Sequence, residues 1–344
     1  MIIVLKSDAT AEQIEHIEKN IREWGLRPHV SKGAERSVIG VIGEESLLAN
    51  KPFDLFPGVE SVMRIQKPYK LVSREFQSKP TKIKIPWGKP GVDPVEIGGK
   101  RVVVVAGPCS VEKPEIMLET ARYVVAAGGR MIRAGAFKPR TSPYAFQGLG
   151  VEGLKILAQV REETGIPFIT EVMDTRDVEM VAEVTDVLQI GARNMQNYSL
   201  LKAVGRTKTP VLLKRGIAGT IEELLMSAEY IMSQGNEKVI LCERGIRTYE
   251  RATRNTLDLN AVPVLHKLTH LPIAVDPSHG TGAADLVLPM ALAGIACGGD
   301  MLLVETHPTP QKAVSDGAQT IDEAQFKAMM EGVRGIAAVL GRAV

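Results

Sequence analysis

The sequence predicts an α/β protein: a (β/α)8 TIM barrel preceded by a small ferredoxin-like α+β domain. Three observations carry this. From residue 101 onward eight short apolar runs alternate with helical patterns, the first 66 residues read β-α-β-β-α-β, and the 344-residue length exceeds the roughly 250 residues of one barrel by about one small domain.

Ile2 to Lys6 opens the chain as a short strand, and Thr10 caps a helix in which Ile14, Ile17, Ile21 and Trp24 recur at helical spacing before Gly25 stops it. Strands are expected at Arg27–Ser31 and Ser37–Ile42, a second short helix around Glu44–Ala49, and a closing strand at Val59–Ile65. Residues 67–100 are rich in Pro and Gly, which break helices. They read as a linker plus a barrel-capping hairpin of Thr81–Ile85 and Val95–Ile97.

The barrel, residues 101–344, follows. Its strands are expected at Arg101–Ala106, Met131–Ala134, Pro167–Thr170, Val187–Gly191, Pro210–Leu213, Lys238–Cys242, Pro272–Val275 and Met301–Val304. The clearest helical patterns are Pro114–Ala127, Val151–Thr164, Thr220–Ser233, Asp285–Cys297 and Thr320–Leu340. Eight parallel βα units favour a closed barrel over an open sheet.

Hydrophobic residues at 44% and charged residues at 24% describe a chain able to bury a core. A net charge of +2 gives no support to nucleic-acid or membrane binding, so any strongly positive site must be local. The apolar N-terminus runs for five residues only, far short of a signal core or a membrane span, and a cytoplasmic location is expected. Three widely spaced cysteines form no disulfide framework, which leaves their thiols available as ligands. Cys242 and Cys297, in an apolar strand and an apolar helix, read as core packing.

In barrels of this kind the active site lies where the strands end, and here those ends are unusually charged. Arg133, Lys138, Arg140, Arg193, Lys214 and Arg244 form a cationic ring, which calls for ligands bearing phosphate or carboxylate groups. Cys109, His279, Glu305 and Asp316 arrive from strands 1, 7 and 8 and the last loop, which are neighbours in a closed barrel. That set can hold a divalent metal such as Mn, Fe, Co, Zn or Cu, the thiol making Mg less suitable. His307 is set apart from it because Pro308 ends the strand, and His16, His266 and His270 read as surface or packing residues. No nucleophile elbow, P-loop or dinucleotide fingerprint follows any strand.

Together these motifs resemble the 3-deoxy-D-arabino-heptulosonate 7-phosphate (DAHP) synthase family, in its short barrel type with an N-terminal ferredoxin-like extension. The resemblance runs from Ala106-Gly107-Pro108-Cys109-Ser110 and Gly135 to Ser142 (GAFKPRTS), through Gln189 to Asn194 (QIGARN), Leu213-Lys214-Arg215-Gly216 and Cys242-Glu243-Arg244-Gly245, to Asp276-Pro277-Ser278-His279 and Ser315-Asp316-Gly317. It implies a transferase of the shikimate pathway that condenses phosphoenolpyruvate with erythrose 4-phosphate on a divalent metal held by Cys109, His279, Glu305 and Asp316. Arg133, Lys138, Arg193, Lys214 and Arg244 would then bind phosphoenolpyruvate, with Arg140, Thr141 and Ser142 on the sugar phosphate. Glu171, Ala192 and His279 join the substrate-binding set; Lys138, Cys109, His279 and Asp276 form the catalytic one. It further implies a homotetramer and feedback inhibition by tyrosine or phenylalanine at His29 and Ser31. The sibling 3-deoxy-D-manno-octulosonate 8-phosphate synthases carry Lys-Ala-Asn-Arg-Ser-Ser where this chain has Lys-Pro-Arg-Thr-Ser, and they usually lack the extension. A metabolite sensor without turnover is the reading from another class, and the complete metal set argues against it.

Overall fold

A computed structural model describes residues 1–32, 37–43, 51–63, 68–139, 142 and 144–344. The helix expected around Glu44–Ala49, the last residues of the strand expected to reach Ile65, and Arg140 and Thr141 lie outside the described residues. The chain divides into two compact units, Met1–Lys79 with Leu268–His270, and Pro80–Lys267 with Leu271–Val344.

In the first unit β1 (Ile2–Leu5), β2 (Arg27–Lys32), β3 (Ser37–Ile42) and β4 (Val59–Met63) form an antiparallel sheet in the order β2-β3-β1-β4, with α1 (Ala11–Glu23) between the first two strands. This is the split βαβ arrangement expected of a ferredoxin-like domain. Thr10 and Gln13 start α1 by exchanging bonds: Thr10 N donates to Gln13 Oε1 at 3.0 Å and Gln13 N to Thr10 Oγ1 at 3.3 Å. Ile17 and Ile21, one helical turn apart, bury against Ile3, Leu5, Ile39 and Val41 of the sheet. Phe76 is buried with its ring 5.4 Å from that of His29, so the chain beyond β4 remains part of this unit as far as Lys79.

The second unit opens with an antiparallel hairpin, β5 (Ile83–Ile85) and β6 (Val95–Ile97). Eight parallel strands then close on themselves: β7 (Val103–Gly107), β8 (Met131–Arg133), β9 (Phe168–Glu171), β10 (Val187–Ile190), β11 (Val211–Lys214), β12 (Val239–Glu243), β13 (Ile273–Val275) and β14 (Met301–Glu305). Pairing of β14 with β7, from Met301 opposite Val103 to Glu305 opposite Gly107, completes the ring. Helices α2 (Pro114–Ala126), α3 (Val151–Thr164), α4 (Val178–Val184), α5 (Tyr198–Gly205), α6 (Ile221–Met232), α7 (Ala261–Leu268), α8 (Pro277–Thr281), α9 (Ala284–Ala296) and α10 (Glu323–Val339) fill the connections and the chain end.

Most expected boundaries shift by a residue or two, and two of the shifts have a visible cause. The last helix begins at Glu323 rather than Thr320, because Ile321 is extended: its N–H donates to Glu305 O at 3.0 Å, and Asp322 and Gln325 then form the cap. The first barrel strand begins at Val103 rather than Arg101, whose only strand-like pairing is an isolated bridge to Ala343.

The two-residue period of a strand decides what reaches the barrel interior. Met131, Ile169, Val187, Leu212, Cys242, Ala274 and Leu303 belong to one apolar cluster inside the barrel. Two residues further along the same strands stand Arg133, Glu171, Gln189, Lys214, Arg244, Asp276 and Glu305. On β7 the corresponding step is from Val105 to Gly107, where a side chain would strike the carbonyl of Arg133. Each inward face thus changes from apolar to polar at the carboxyl end, except where crowding requires glycine. At the other end Ile83, Ile85, Val95 and Ile97 of the hairpin join the same apolar cluster and close the floor. The Arg130 guanidinium lies over the Trp87 ring at 4.8 Å and donates to Asp93 O at 2.9 Å, which ties the hairpin to the barrel.

Candidate active site at the carboxyl ends of the barrel strands

A cleft of about 180 Å³ opens at these strand ends. Six cations line it, Arg133, Lys138, Arg193, Lys214, Arg244 and Arg254, against two acids, Glu171 and Asp316. Two of the cations carry buried partners: Arg133 Nη1 lies 2.9 Å from Glu305 Oε1, and Lys214 Nζ lies 2.6 Å from Asp276 Oδ2. The expected ring is therefore a set of cations interleaved with acids rather than bare positive charge. Arg244 is buried at the same strand ends. Burial lowers its pKa, repulsion from Arg254 adds to that, and attraction to Asp276 only partly opposes both.

Lys138 is fixed by the β8–α3 turn so that Nζ donates to both Cys109 O and Cys109 Sγ, each at 2.9 Å. Cys109 Sγ donates in turn to Asp316 Oδ2 at 2.9 Å. One ligand atom each from Cys109, Glu305 and Asp316 lies within 4.8 Å of the others. Burial pushes the Cys109 thiol up to about 11, reinforced by the Glu305 and Asp316 carboxylates and opposed by Lys138 and Arg133. A divalent cation among these three groups would reverse that bias and turn the thiol into a ligand, so the donor set fits a metal.

His279 stands beside this group rather than within it, its Nε2 3.5 Å from Glu305 Oε1. Its Nδ1 lies 2.8 Å from Asp276 Oδ2. Its backbone N–H donates to Asp276 Oδ1 at 2.9 Å, capping α8. Burial lowers the His279 pKa in spite of the Asp276 carboxylate. For Asp276 itself burial acts upward, yet His279 and Lys214 outweigh it and hold the carboxyl well below the usual range.

Glu171 is buried, and Gln189 Nε2 donates to its Oε2 at 3.2 Å while Oε1 has no hydrogen-bond partner among the described residues. Burial raises its pKa against the pull of Lys138, Lys214 and Arg133. Gly191 makes room for it, since a Cβ there would strike Glu171 Oε1. Ala192 and Arg193 follow on a 3₁₀ turn and line the same cleft. Ser142 is exposed on the β8–α3 connection; its expected companions Arg140 and Thr141 lie outside the described residues. In the first unit His29 and Ser31 sit two residues apart on β2, half-buried and on one face of the sheet.

Arg254 and Gln319 escape a reading from strand ends. Arg254, deep in the β12–α7 connection, lines the cleft, and Gln319 donates through Nε2 to Glu305 Oε2 at 2.6 Å. Ser278 accepts the Glu305 N–H at 2.9 Å, and Ser110 bonds Ser315 at 2.8 Å, linking the loop after β7 to the one that carries Asp316. His307, set apart from the ligand set by Pro308, is buried with Nδ1 accepting the Thr309 N–H at 2.9 Å and Nε2 3.4 Å from Glu112. For Gln319 the one signal available is proximity in sequence to Asp316, and Arg254 lacks even that. Cys242 lies in the apolar cluster of the barrel, and His270 is buried with Nε2 2.7 Å from Leu71 O.

Comparison with known proteins agrees with this architecture. The DAHP synthetase I family matches residues 79–337, and the DAHP synthase ferredoxin-like domain matches residues 1–67. The chain is 49% identical over 341 residues to phospho-2-dehydro-3-deoxyheptonate aldolase of Thermotoga maritima, with 99% of each covered. A crystal structure of phospho-2-dehydro-3-deoxyheptonate aldolase (DAHP synthase) from that organism has a TM-score of 0.78 at 49% identity, covering 100% of this chain and 98% of that one. More distantly, 2-dehydro-3-deoxyphosphooctonate aldolase of Syntrophotalea carbinolica is 32% identical over 265 residues, 72% of this chain and 95% of its own. The chain belongs to the DAHP synthetase I family, carries the ferredoxin-like domain, and is an enzyme of the aldolase/synthase type.

Proposed function

We propose that this enzyme joins phosphoenolpyruvate to erythrose 4-phosphate, giving 3-deoxy-D-arabino-heptulosonate 7-phosphate and inorganic phosphate. The observation that carries the reading is the position of Lys138, whose Nζ donates to Cys109 Sγ at 2.9 Å while lining the cleft with Arg133, Lys214 and Arg244. A proton donor, a metal-binding thiol and phosphate-binding cations thus share one small space. Likeness along 99% of this chain to the T. maritima protein named for the heptonate, against 72% of this chain to the octonate aldolase, supports the four-carbon aldehyde as second substrate.

Cys109, His279, Glu305 and Asp316 would hold a divalent ion such as Mn, Fe, Co or Zn, which when bound would supply Lewis-acid polarisation of the aldehyde carbonyl. Arg133, Arg193, Lys214 and Arg244 hold the carboxylate and phosphate of phosphoenolpyruvate, with Glu171 and the Ala192 backbone shaping that end of the cleft. Arg140, Thr141 and Ser142 take the sugar phosphate. With both substrates so oriented, C3 of phosphoenolpyruvate attacks the aldehyde carbon and Lys138 protonates the aldehyde oxygen. Water then adds at C2, and the C2–O bond to phosphate breaks as inorganic phosphate leaves. Asp276 keeps Lys214 and His279 in place through its two buried contacts.

The first unit adds no group to this chemistry, and its likeness to the ferredoxin-like domain supports a regulatory use. Tyrosine or phenylalanine would bind at His29 and Ser31 between domains of a homotetramer and inhibit the barrel.

The test is phosphate release by purified protein supplied with both substrates and a divalent metal. Release with erythrose 4-phosphate and little with arabinose 5-phosphate supports the assignment; the reverse preference moves the enzyme to the octulosonate class.

A further inference from the structure

We propose that Gln319 and Arg254 form a positioning relay that sets the distance between the Glu305 and Asp316 carboxylates and so prepares the metal group before any metal arrives. The inference rests on the metal reading above.

Gln319 is 2% exposed and offers each end of its amide to a charge. Nε2 donates to Glu305 Oε2 at 2.6 Å, and Oε1 accepts from Arg254 Nη1 at 2.7 Å. A carboxylate only accepts and a guanidinium only donates, so the amide has one satisfactory orientation between them. The same Nη1 lies 3.6 Å from Asp316 Oδ1, while Asp316 Oδ2 accepts from Cys109 Sγ at 2.9 Å. Each carboxylate is thus gripped by one oxygen from behind: Glu305 through Gln319, Asp316 through Arg254.

Two like charges brought together repel, and Asp316 carries a second cost. It is the one non-glycine residue among those described with positive φ, at 54°. Such a conformation persists only where its surroundings hold it. Arg254 can do the holding because its own backbone is fixed: its N–H donates to Thr281 O at 2.9 Å, and next to it Asn255 Nδ2 donates to His279 O at 2.8 Å. The relay therefore joins the turn that carries His279 to both carboxylates.

The experiment is calorimetric titration of Mn²⁺ into metal-free full-length protein, unsubstituted and as Gln319→Leu, Arg254→Ala and the double variant, with KM for both substrates measured alongside. Loss of a residue that orients metal ligands weakens affinity by about 10- to 100-fold. We expect a loss in that range for Gln319→Leu and about 10-fold for Arg254→Ala. The double variant should bind more weakly than either single one, since Arg254 also holds Asp316 directly. Should Gln319→Leu fail to fold, the exposed Arg254→Ala decides alone. Mn²⁺ affinity within about twofold of the unsubstituted protein in the folded variants would overturn the relay. A raised KM for a phosphorylated substrate with unchanged Mn²⁺ affinity in Arg254→Ala would do the same and make Arg254 a substrate anchor. If the unsubstituted protein binds no Mn²⁺, the metal reading fails and takes the relay with it.

Discussion

The two ends of the barrel are built from the same eight strands by opposite rules. At the floor the inward positions are aliphatic, and the hairpin residues Ile83, Ile85, Val95 and Ile97 seal them from water. At the mouth the next inward positions are Arg133, Glu171, Gln189, Lys214, Arg244, Asp276 and Glu305, buried and matched largely in pairs. A buried ion pair contributes little net stability against an apolar replacement, yet breaking one by removing a single partner costs about 3–5 kcal/mol. Apolar burial at the floor therefore stabilises the barrel, and the mouth uses that stability to hold charges that water would otherwise keep apart.

Changes that touch a reacting group at the mouth should break this contrast most sharply. Lys138→Ala is expected to lower kcat by about a thousandfold, the middle of the range for general acid catalysis, while Mn²⁺ binding followed by calorimetry stays within a few-fold. Cys109→Ser should weaken Mn²⁺ binding, and turnover in chelator-treated protein should fall to background until metal is restored. Gly191→Ala comes next: its Cβ displaces Glu171, and steady-state kinetics should show a rise of about tenfold in KM for phosphoenolpyruvate, on the order of 1.4 kcal/mol. The smallest effect on turnover belongs to the other unit. A chain beginning near Lys70 should keep kcat within about twofold while losing whatever inhibition tyrosine or phenylalanine exerts, because the mouth has its full set of groups without that unit.

Much of this was legible in the sequence because strand ends are easy to find. Most of the apolar runs stop at a charged or polar residue, and the barrel rule says which end of the strand carries chemistry. Cys109, His279 and Glu305 could be brought close from strand adjacency and Asp316 from the loop after the last strand, although the structure sets His279 beside the other three. Pairing was harder to see: Arg133 and Lys214 count as cations in a list, but their neutralisation by Glu305 and Asp276 joins strands that stand one apart around the barrel rather than neighbours. Arg254 was hidden for another reason. Its position depends on its own N–H bond to Thr281 O and on that of Asn255 to Gly280 O, and a long irregular connection carries no periodicity from which to infer them. The start of α10 moved because the N–H of Ile321 is claimed by Glu305 O, a tertiary contact that overrides the local helical pattern.

The most direct test of the division between floor and mouth uses one strand, β14, where Met301 and Glu305 share a face four residues apart. Met301→Ala and Glu305→Gln would each be measured for unfolding free energy in denaturant and for kcat with phosphoenolpyruvate and erythrose 4-phosphate. The account predicts that Met301→Ala loses about 2–5 kcal/mol of stability, as buried large-to-small changes do, with kcat within about twofold. Glu305→Gln should lose at least about a hundredfold in kcat, the effect expected when a metal site is disturbed, while retaining a cooperative unfolding transition. Equal losses of kcat in the two variants, or full turnover in Glu305→Gln, would contradict it.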